Sequence, residues 1–340
     1  MEKIKERLRN LCALATVSGY ESFADVLTED EKRAFDKIEY DKLGSLLLVK
    51  KSSNRNARKL LIDAHLDIVG FMITGIEENG FLRFVNIGGL DPRVLPSTHV
   101  CIFGKKKIDG VITSTPPHLR VGESRVPKIE ELMIDTGLSE KEAKELISIG
   151  DIAMYKPYFT ELLNDYVCAV GLDDKACVCA ILDFLVNTDR SKLAYDIYAT
   201  FSAQEETGKC GAARLAFDIE PDFAIVTDVN FARGEGIEQR DSIECRGGAS
   251  VDISAVTDRV LTRNIIKLLK EQKIEFQQIC EPRYTGTNND MLSISGKGVR
   301  TSLMSIPLKA MHSSAEIVNL KDIKSLSRML GAVAGAKEIL

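Results

Sequence analysis

No apolar run in the chain reaches the ~18 residues that a membrane-crossing helix needs, so a helical membrane protein is excluded. Positive charge is not in excess either. Lys and Arg total 45 against 50 Asp and Glu, a net charge of -5, and a nucleic-acid partner is not expected. The first residues, MEKIKERLRN, are charged and lack the apolar centre of an export signal, so a cytoplasmic location is expected. There is no Gly-x-Ser-x-Gly elbow, which argues against a serine hydrolase. A P-loop and a Gly-rich dinucleotide fingerprint are also missing. No Cys-x-x-Cys pair exists among the eight cysteines. In a chain of this length without an export signal, reduced thiols are expected rather than disulfides. Cys177 and Cys179 are two apart, and on a helix they would point in different directions.

What is present is an ordinary globular composition, 44% hydrophobic and 28% charged. With 340 residues, a main domain plus a smaller one is expected. Residues 2–16 carry Ile4, Leu8, Leu11 and Leu14 at helical spacing, an amphipathic helix. DKLGSLLLVKK and KLLIDAHLD read as strands, the second an apolar run ending in polar residues, as in a buried central strand. From about 70 to 160 the texture changes. FMITGIEENGFLRFVNIGG reads as a hairpin around Glu78-Asn79-Gly80, and short strands broken by Gly and Pro follow. A helix with Ser139 as N-cap and Glu142 at the capping-box position comes next. From 170 onward helices and strands alternate. The reading is an α/β fold, a mostly parallel sheet with helices on both faces plus an inserted small β-rich domain. Residues 1–70 and 163–340 form the parent domain, and residues 71–162 the insert.

Polar residues collect at the ends of these strands, where ligand sites of open α/β sheets lie. His65-x-Asp67 ends the strand LLIDA. Imidazole is a good zinc ligand, and an Asp two residues on shares its face and could hold the ring in one tautomer. Asp173-Asp174 opens a helix. Capping explains such acids, but a carboxylate can also bridge two cations. Gln204-Glu205-Glu206 follows a strand and precedes Gly208. Adjacent acids are common on surfaces; the functional reading has one bind metal while the other serves as general base. Asp228 ends the strand FAIVT, where an acid is costly unless paired or ligated. His312 follows SLMSIPLKAM. Two imidazoles and three carboxylates suit zinc, cobalt or manganese. His99 and His118 carry a structural reading, and Lys105-Lys106-Lys107 that of a solvated turn.

The ordered set H-x-D, D-D, E-E-x-G, D, H resembles the M42 family of metallo-aminopeptidases, which includes tetrahedral and glutamyl aminopeptidases and some members labelled endoglucanase. The resemblance runs through SGYE (18–21), AHLDIVGFMIT (64–74), IGGLDPRVLP (87–96), GLDDKACVCAIL (171–182), SAQEETGKCGA (202–212) and IPLKAMHSSAEIVNLKDI (306–323). The related M20 peptidases share a similar ligand order, but spacing separates them. Here the longer gap lies between Asp67 and Asp173 (173 − 67 = 106) and the shorter between Asp228 and His312 (312 − 228 = 84), so the insertion is early, as in M42.

The resemblance implies a zinc-aminopeptidase-like fold and two divalent metal ions per chain, zinc first, with Co2+ or Mn2+ as substitutes. His65 and Asp228 would bind one, Glu206 and His312 the other, with Asp173 between them. Glu205 would be the general base and Asp67 the partner of His65. It implies peptide substrates with a free N-terminus and a homo-oligomer built from dimers, up to a tetrahedral dodecamer, with the insert contributing to assembly. The alternatives are a deacylase or modified-peptide hydrolase of the same fold, or a non-catalytic metal-binding scaffold. The sequence departs from the family at Ile68, where Glu is usual, at Lys175, where Arg is usual, and at Asn288, where Asp is expected. At Gly247-Gly248-Ala249 it lacks the usual Gly-Pro.

Overall fold

The computed structural model describes residues 1–21, 26–115, 126–234 and 236–340, so His118 lies outside the described residues. The chain opens with helices α1 (Glu2–Cys12) and α2 (Glu29–Lys32) and strands β1 (Lys37–Tyr40), β2 (Leu46–Lys50) and β3 (Lys59–His65). Then come β4 (Gly70–Ile76), β5 (Leu82–Ile87), β6 (His99–Phe103), β7 (Lys107–Thr113), β8 (Met133–Asp135), α3 (Glu140–Leu146) and β9 (Ile152–Tyr155). Strands β10 (Phe159–Glu161) and β11 (Tyr166–Ala169) lead into α4 (Leu172–Asn187), β12 (Asp196–Ser202), α5 (Glu205–Gly208), α6 (Cys210–Ile219) and β13 (Phe223–Phe231). The rest is β14 (Ser250–Ser254), α7 (Arg259–Glu271), β15 (Gln277–Glu281), α8 (Asn289–Leu292), β16 (Thr301–Leu308), β17 (Glu316–Asn319) and α9 (Leu320–Gly335).

Eight strands form one sheet in the order β1-β2-β12-β3-β13-β16-β14-β15. Its centre, β12-β3-β13-β16, is parallel, and so is the β14–β15 pair. The β1–β2, β2–β12 and β14–β16 pairs are antiparallel. The sheet is therefore mixed, with parallel pairing concentrated in the middle. A strand can pair in parallel only through a long crossover, and the short loop between β1 and β2 therefore makes that pair antiparallel.

The central strands alternate between two packed faces. On β3, Leu60, Ile62 and Ala64 join the core beneath α1, α4, α7 and α9, and Leu61 joins the opposite core beneath α6 and α8. Helix α4 is buried nearly all round, as an apolar helix sandwiched between sheet and outer helices must be. Helix α1 buries Ile4, Leu8 and Leu11 on one stripe. Each such side chain contributes about 1.5–3 kcal/mol.

Strands β4-β5-β8-β7-β6-β9 close into a small barrel with its own apolar core. Phe71 packs edge-on to Phe84 and Tyr155, with ring centroids 5.2 and 5.4 Å apart. The β4–β5 hairpin turns where the sequence places it, and Gly80 (φ +85°) takes the left-handed position. The Ser139–Glu142 capping box starts α3. His99 is exposed at the start of β6, and Lys105 and Lys106 form an exposed turn before Lys107 opens β7. All eight cysteines are free thiols. Among the described residues, no helix is long and apolar enough to cross a membrane.

Candidate metal centre

Parallel strands bring their carboxyl ends to one edge of the sheet. His65, the last residue of β3, lies beside Ser202, the last of β12. Asp63 lies opposite Val226 on β13, so Asp228, two residues on, comes level with His65. The turn after β12 delivers Glu205 and Glu206. The turn after β16 delivers His312, and the start of α4 delivers Asp173.

Two groups result. The ligand atoms of His65, Asp173 and Asp228 lie within 4.8 Å of one another, as do those of Asp173, Glu206 and His312. Asp173 belongs to both and divides its oxygens between them. Its Oδ1 is 3.0 Å from His65 Nε2 and its Oδ2 is 3.3 Å from His312 Nε2. Asp228 Oδ1 is 3.7 Å from His65 Nε2, and Glu206 Oε1 is 3.3 Å from His312 Nε2.

Both imidazoles are held from behind by a backbone carbonyl. His65 Nδ1 is 2.9 Å from the Asp67 carbonyl, and His312 Nδ1 is 2.7 Å from that of Gly89. A carbonyl only accepts, so each Nδ1 carries the hydrogen. The neutral ring then turns the Nε2 lone pair toward carboxylate oxygens that also only accept. A cation must complete the arrangement, either a second ring proton or a metal ion. Burial alone would lower the His65 pKa, but Asp173 and Asp228 raise it well above the ordinary value. Burial likewise opposes, and Asp173 and Glu206 override, a rise of His312 to about 11. Burial raises Glu206 and Asp228 above the usual carboxylate range. For Asp173 burial is outweighed by His312 and His65, which hold it low. Three buried carboxylates and two tethered imidazoles thus form a donor set that fits divalent cations.

Glu205 is buried but belongs to neither group. Its Oε1 is 3.2 Å from Lys209 Nζ, and burial pushes its pKa up to about 8. Asp67 sits differently from the expected ring-holding carboxylate. Its Oδ1 is 3.8 Å from His65 Nδ1, while its two oxygens accept the N–H groups of Glu205 (3.0 Å) and Glu206 (3.1 Å). It is the main-chain oxygen of Asp67 that orients the ring. The physical reason is that the start of a short helix presents unpaired N–H groups, which a charged acceptor satisfies better than a ring already bonded to a carbonyl does.

Sequence reading missed two supports. Glu21 Oε1 accepts the N–H of Gln204 (3.0 Å), so three consecutive amides at the start of α5 are held by two carboxylates. Gly89, from the loop after the barrel strand β5, tethers His312. The motifs SGYE and IGG were the signals, but neither spacing says what the residues touch. The departures also have places. Asn288 donates to Asp63 Oδ2 (2.9 Å) and Ser202 Oγ (2.8 Å), where an Asp would face Asp63 charge to charge. Ile68 is buried in the barrel core, and the buried Lys175 Nζ bonds the Leu14 carbonyl at 3.0 Å. A narrow crevice lined by Ile68, Tyr155, Asp173, Glu206, His312 and Ser313 opens on the second group. The larger cleft between α1 and α2, lined by Arg7, Asn10 and Glu31, holds none of these residues.

A mixed α/β sheet with two His/carboxylate groups sharing one aspartate at its strand ends defines a chain of the metallohydrolase class. A family model described as M42 glutamyl aminopeptidase matches residues 44–329, and the chain belongs to the M42 peptidase family. It is thereby a peptide hydrolase. A lysyl aminopeptidase of Pyrococcus furiosus is 31% identical over 336 residues, 96% of this chain and 96% of that protein. Among solved structures, aminopeptidase APDkam598 from Desulfurococcus kamchatkensis superposes with a TM-score of 0.91 at 28% identity, covering 98% of this chain and 95% of that one. The Pyrococcus horikoshii TET1 peptidase, which can assemble into a tetrahedron or a large octahedral shell, gives 0.83 at 29%, covering 97% and 99%.

Proposed function

We propose that this chain is an aminopeptidase that uses two divalent ions to release N-terminal residues from peptides. The observation that carries the reading is the Asp173 carboxylate, one oxygen toward each tethered imidazole. His65 and Asp228 would hold one ion and Glu206 and His312 the other, with Asp173 serving both groups. The ions (zinc first, with cobalt or manganese as substitutes) would supply Lewis acidity toward the scissile carbonyl and the attacking water. Glu205 takes a proton from that water and returns it to the leaving nitrogen. Burial makes the Glu205 carboxylate a stronger base than an exposed one, which favours taking the proton. Asp67 and Glu21 fix the turn, so the base and the ligand Glu206 move as one body. The Asp67 carbonyl fixes the His65 tautomer.

Residues 1–70 and 163–340 form the catalytic domain, and residues 71–162, around the barrel, form the dimerisation and assembly domain. The TET1 peptidase, which can assemble into a tetrahedron or a large octahedral shell, supports a homo-oligomer, and our reading is a dimer-based assembly with the tetrahedral dodecamer as its form.

The test is a panel of aminoacyl-p-nitroanilides and N-acyl counterparts, with chelator or with added zinc, cobalt or manganese, beside Glu205→Gln. Metal-dependent release from free-amino substrates is expected, with kcat down about 10²–10⁴-fold in the variant and metal content unchanged. Turnover of blocked substrates alone would overturn the aminopeptidase reading. Wild-type turnover by Glu205→Gln would remove Glu205 as the base.

A further inference from the structure

One buried carboxylate outside the proposed ligand set touches both loops that form the second cation site. Glu316, the first residue of β17, is 2% exposed. Its Oε1 accepts the backbone N–H of His312 at 2.8 Å, and its Oε2 accepts that of Asp173 at 3.2 Å. Its own backbone is fixed by the β11–β17 ladder, where it pairs with Ala169. Asp173 lies just beyond β11 and His312 just before β17, so a single side chain closes both turns.

The His312 backbone needs such support. Its φ of +59° is left-handed, which is strained for a residue with a β-carbon and persists only where the surroundings impose it. Three contacts do so here: Glu316 on its N–H, Gly89 on its ring and Tyr155 Oη, which donates to its carbonyl at 3.4 Å.

We propose that Glu316 is a positioning residue that sets the separation of Asp173 and His312, and thereby the affinity of the second cation site. The proposal rests on the two-metal reading above. Its chemistry makes a specific demand. Both partners of Glu316 are donors, so both of its oxygens must accept. A glutamine would place an NH2 group against one of the two amides. An aspartate keeps the charge but is one methylene too short to span both loops.

The experiment titrates metal-free protein with Zn2+ by calorimetry and with Co2+ by its visible absorption, for wild type, Glu316→Gln, Glu316→Asp and Asp322→Asn. Asp322 is a matched control, a buried carboxylate accepting two backbone N–H groups, Arg246 (2.8 Å) and Gly248 (2.9 Å), on another loop. Wild type is expected to bind two ions. Each Glu316 variant is expected to bind the first ion as wild type does and the second about 10–100-fold more weakly, with kcat recovering as metal is raised. Asp322→Asn is expected to bind both normally. Wild-type affinity for both ions in Glu316→Gln and Glu316→Asp would overturn the proposal. So would an equal loss in Asp322→Asn, which would mark a general loosening. Wild type binding fewer than two ions would instead overturn the two-metal reading itself.

Discussion

Gly88 links the barrel to the candidate centre, and adding one methyl group there should disturb a cation site without touching a ligand. Its φ is +77°, and a β-carbon would lie 2.8 Å from Val69 Cγ1, 3.4 Å from Glu206 Cβ and 3.5 Å from Glu206 Oε2. Val69 is buried and β-branched, so its methyl group is restricted in how it can move aside. The strain of a left-handed alanine is about 1 kcal/mol, and overpacking adds about 1–3 kcal/mol. The total, about 2–4 kcal/mol, can be relieved by displacing Glu206 and the neighbouring Gly89 carbonyl that tethers His312. Spent on the Glu206–His312 site, it weakens binding there by roughly thirtyfold to a thousandfold. Zinc titration of metal-free Gly88→Ala reads this directly, with thermal unfolding alongside. Gly137→Ala separates the two contributions. Its φ is +70° but nothing lies within 4 Å, so it bears the strain without the clash. Wild-type affinity at both sites in Gly88→Ala would refute the claim that the barrel loop braces the centre.

Two further predictions concern the scaffold. Arg7 donates to Glu31 through Nη2 (2.6 Å) and Nε (3.2 Å); burial opposes ionisation of Glu31, but these bonds outweigh it and hold its pKa below the ordinary value. A depressed carboxylate pKa contributes stability above the unfolded value near 4.5 and loses it as pH falls through the folded one. Arg7→Gln should therefore cost about 1 kcal/mol in urea unfolding at pH 6–7, and the difference from wild type should shrink as pH falls below about 4.5. A difference that stays constant as the pH is lowered would place the effect in packing instead. Phe71→Ala removes the ring that Phe84 and Tyr155 both contact and should cost about 3–5 kcal/mol in the same assay. A loss under 1 kcal/mol would mean that the barrel core collapses to fill the space.

The positions of the chemistry-bearing residues were legible because each stands where an apolar run stops. LLIDAH is a buried strand that ends on His65, whereas Asp228 lies inside its strand, which runs on to Phe231 rather than stopping at FAIVT as the sequence suggested; the gaps between motifs predicted an early insertion. Edge strands were not legible. Gln277–Glu281 and Glu316–Asn319 are short, mixed in polarity and defined by partners far away in sequence, which periodicity cannot see. The parallel centre follows from alternating strands and helices, but the antiparallel flanks do not. At the site, sequence could nominate Asp67 but not assign its two ends. Whether the carboxylate or the carbonyl meets His65 depends on where the Glu205–Glu206 amides arrive, and only the fold places them.

The sheet order has a consequence in time. Strand β3 carries His65 and lies between β12 and β13, whose sequences come more than a hundred residues later. On a ribosome adding ~5–20 residues per second, the interval between His65 and His312 (312 − 65 = 247) is roughly 12–50 s. The barrel strands all emerge within that interval and can close among themselves. On the proposed two-metal reading, the ligand set is complete only once His312 has left the exit tunnel, so the capacity to cut peptides arrives late in synthesis.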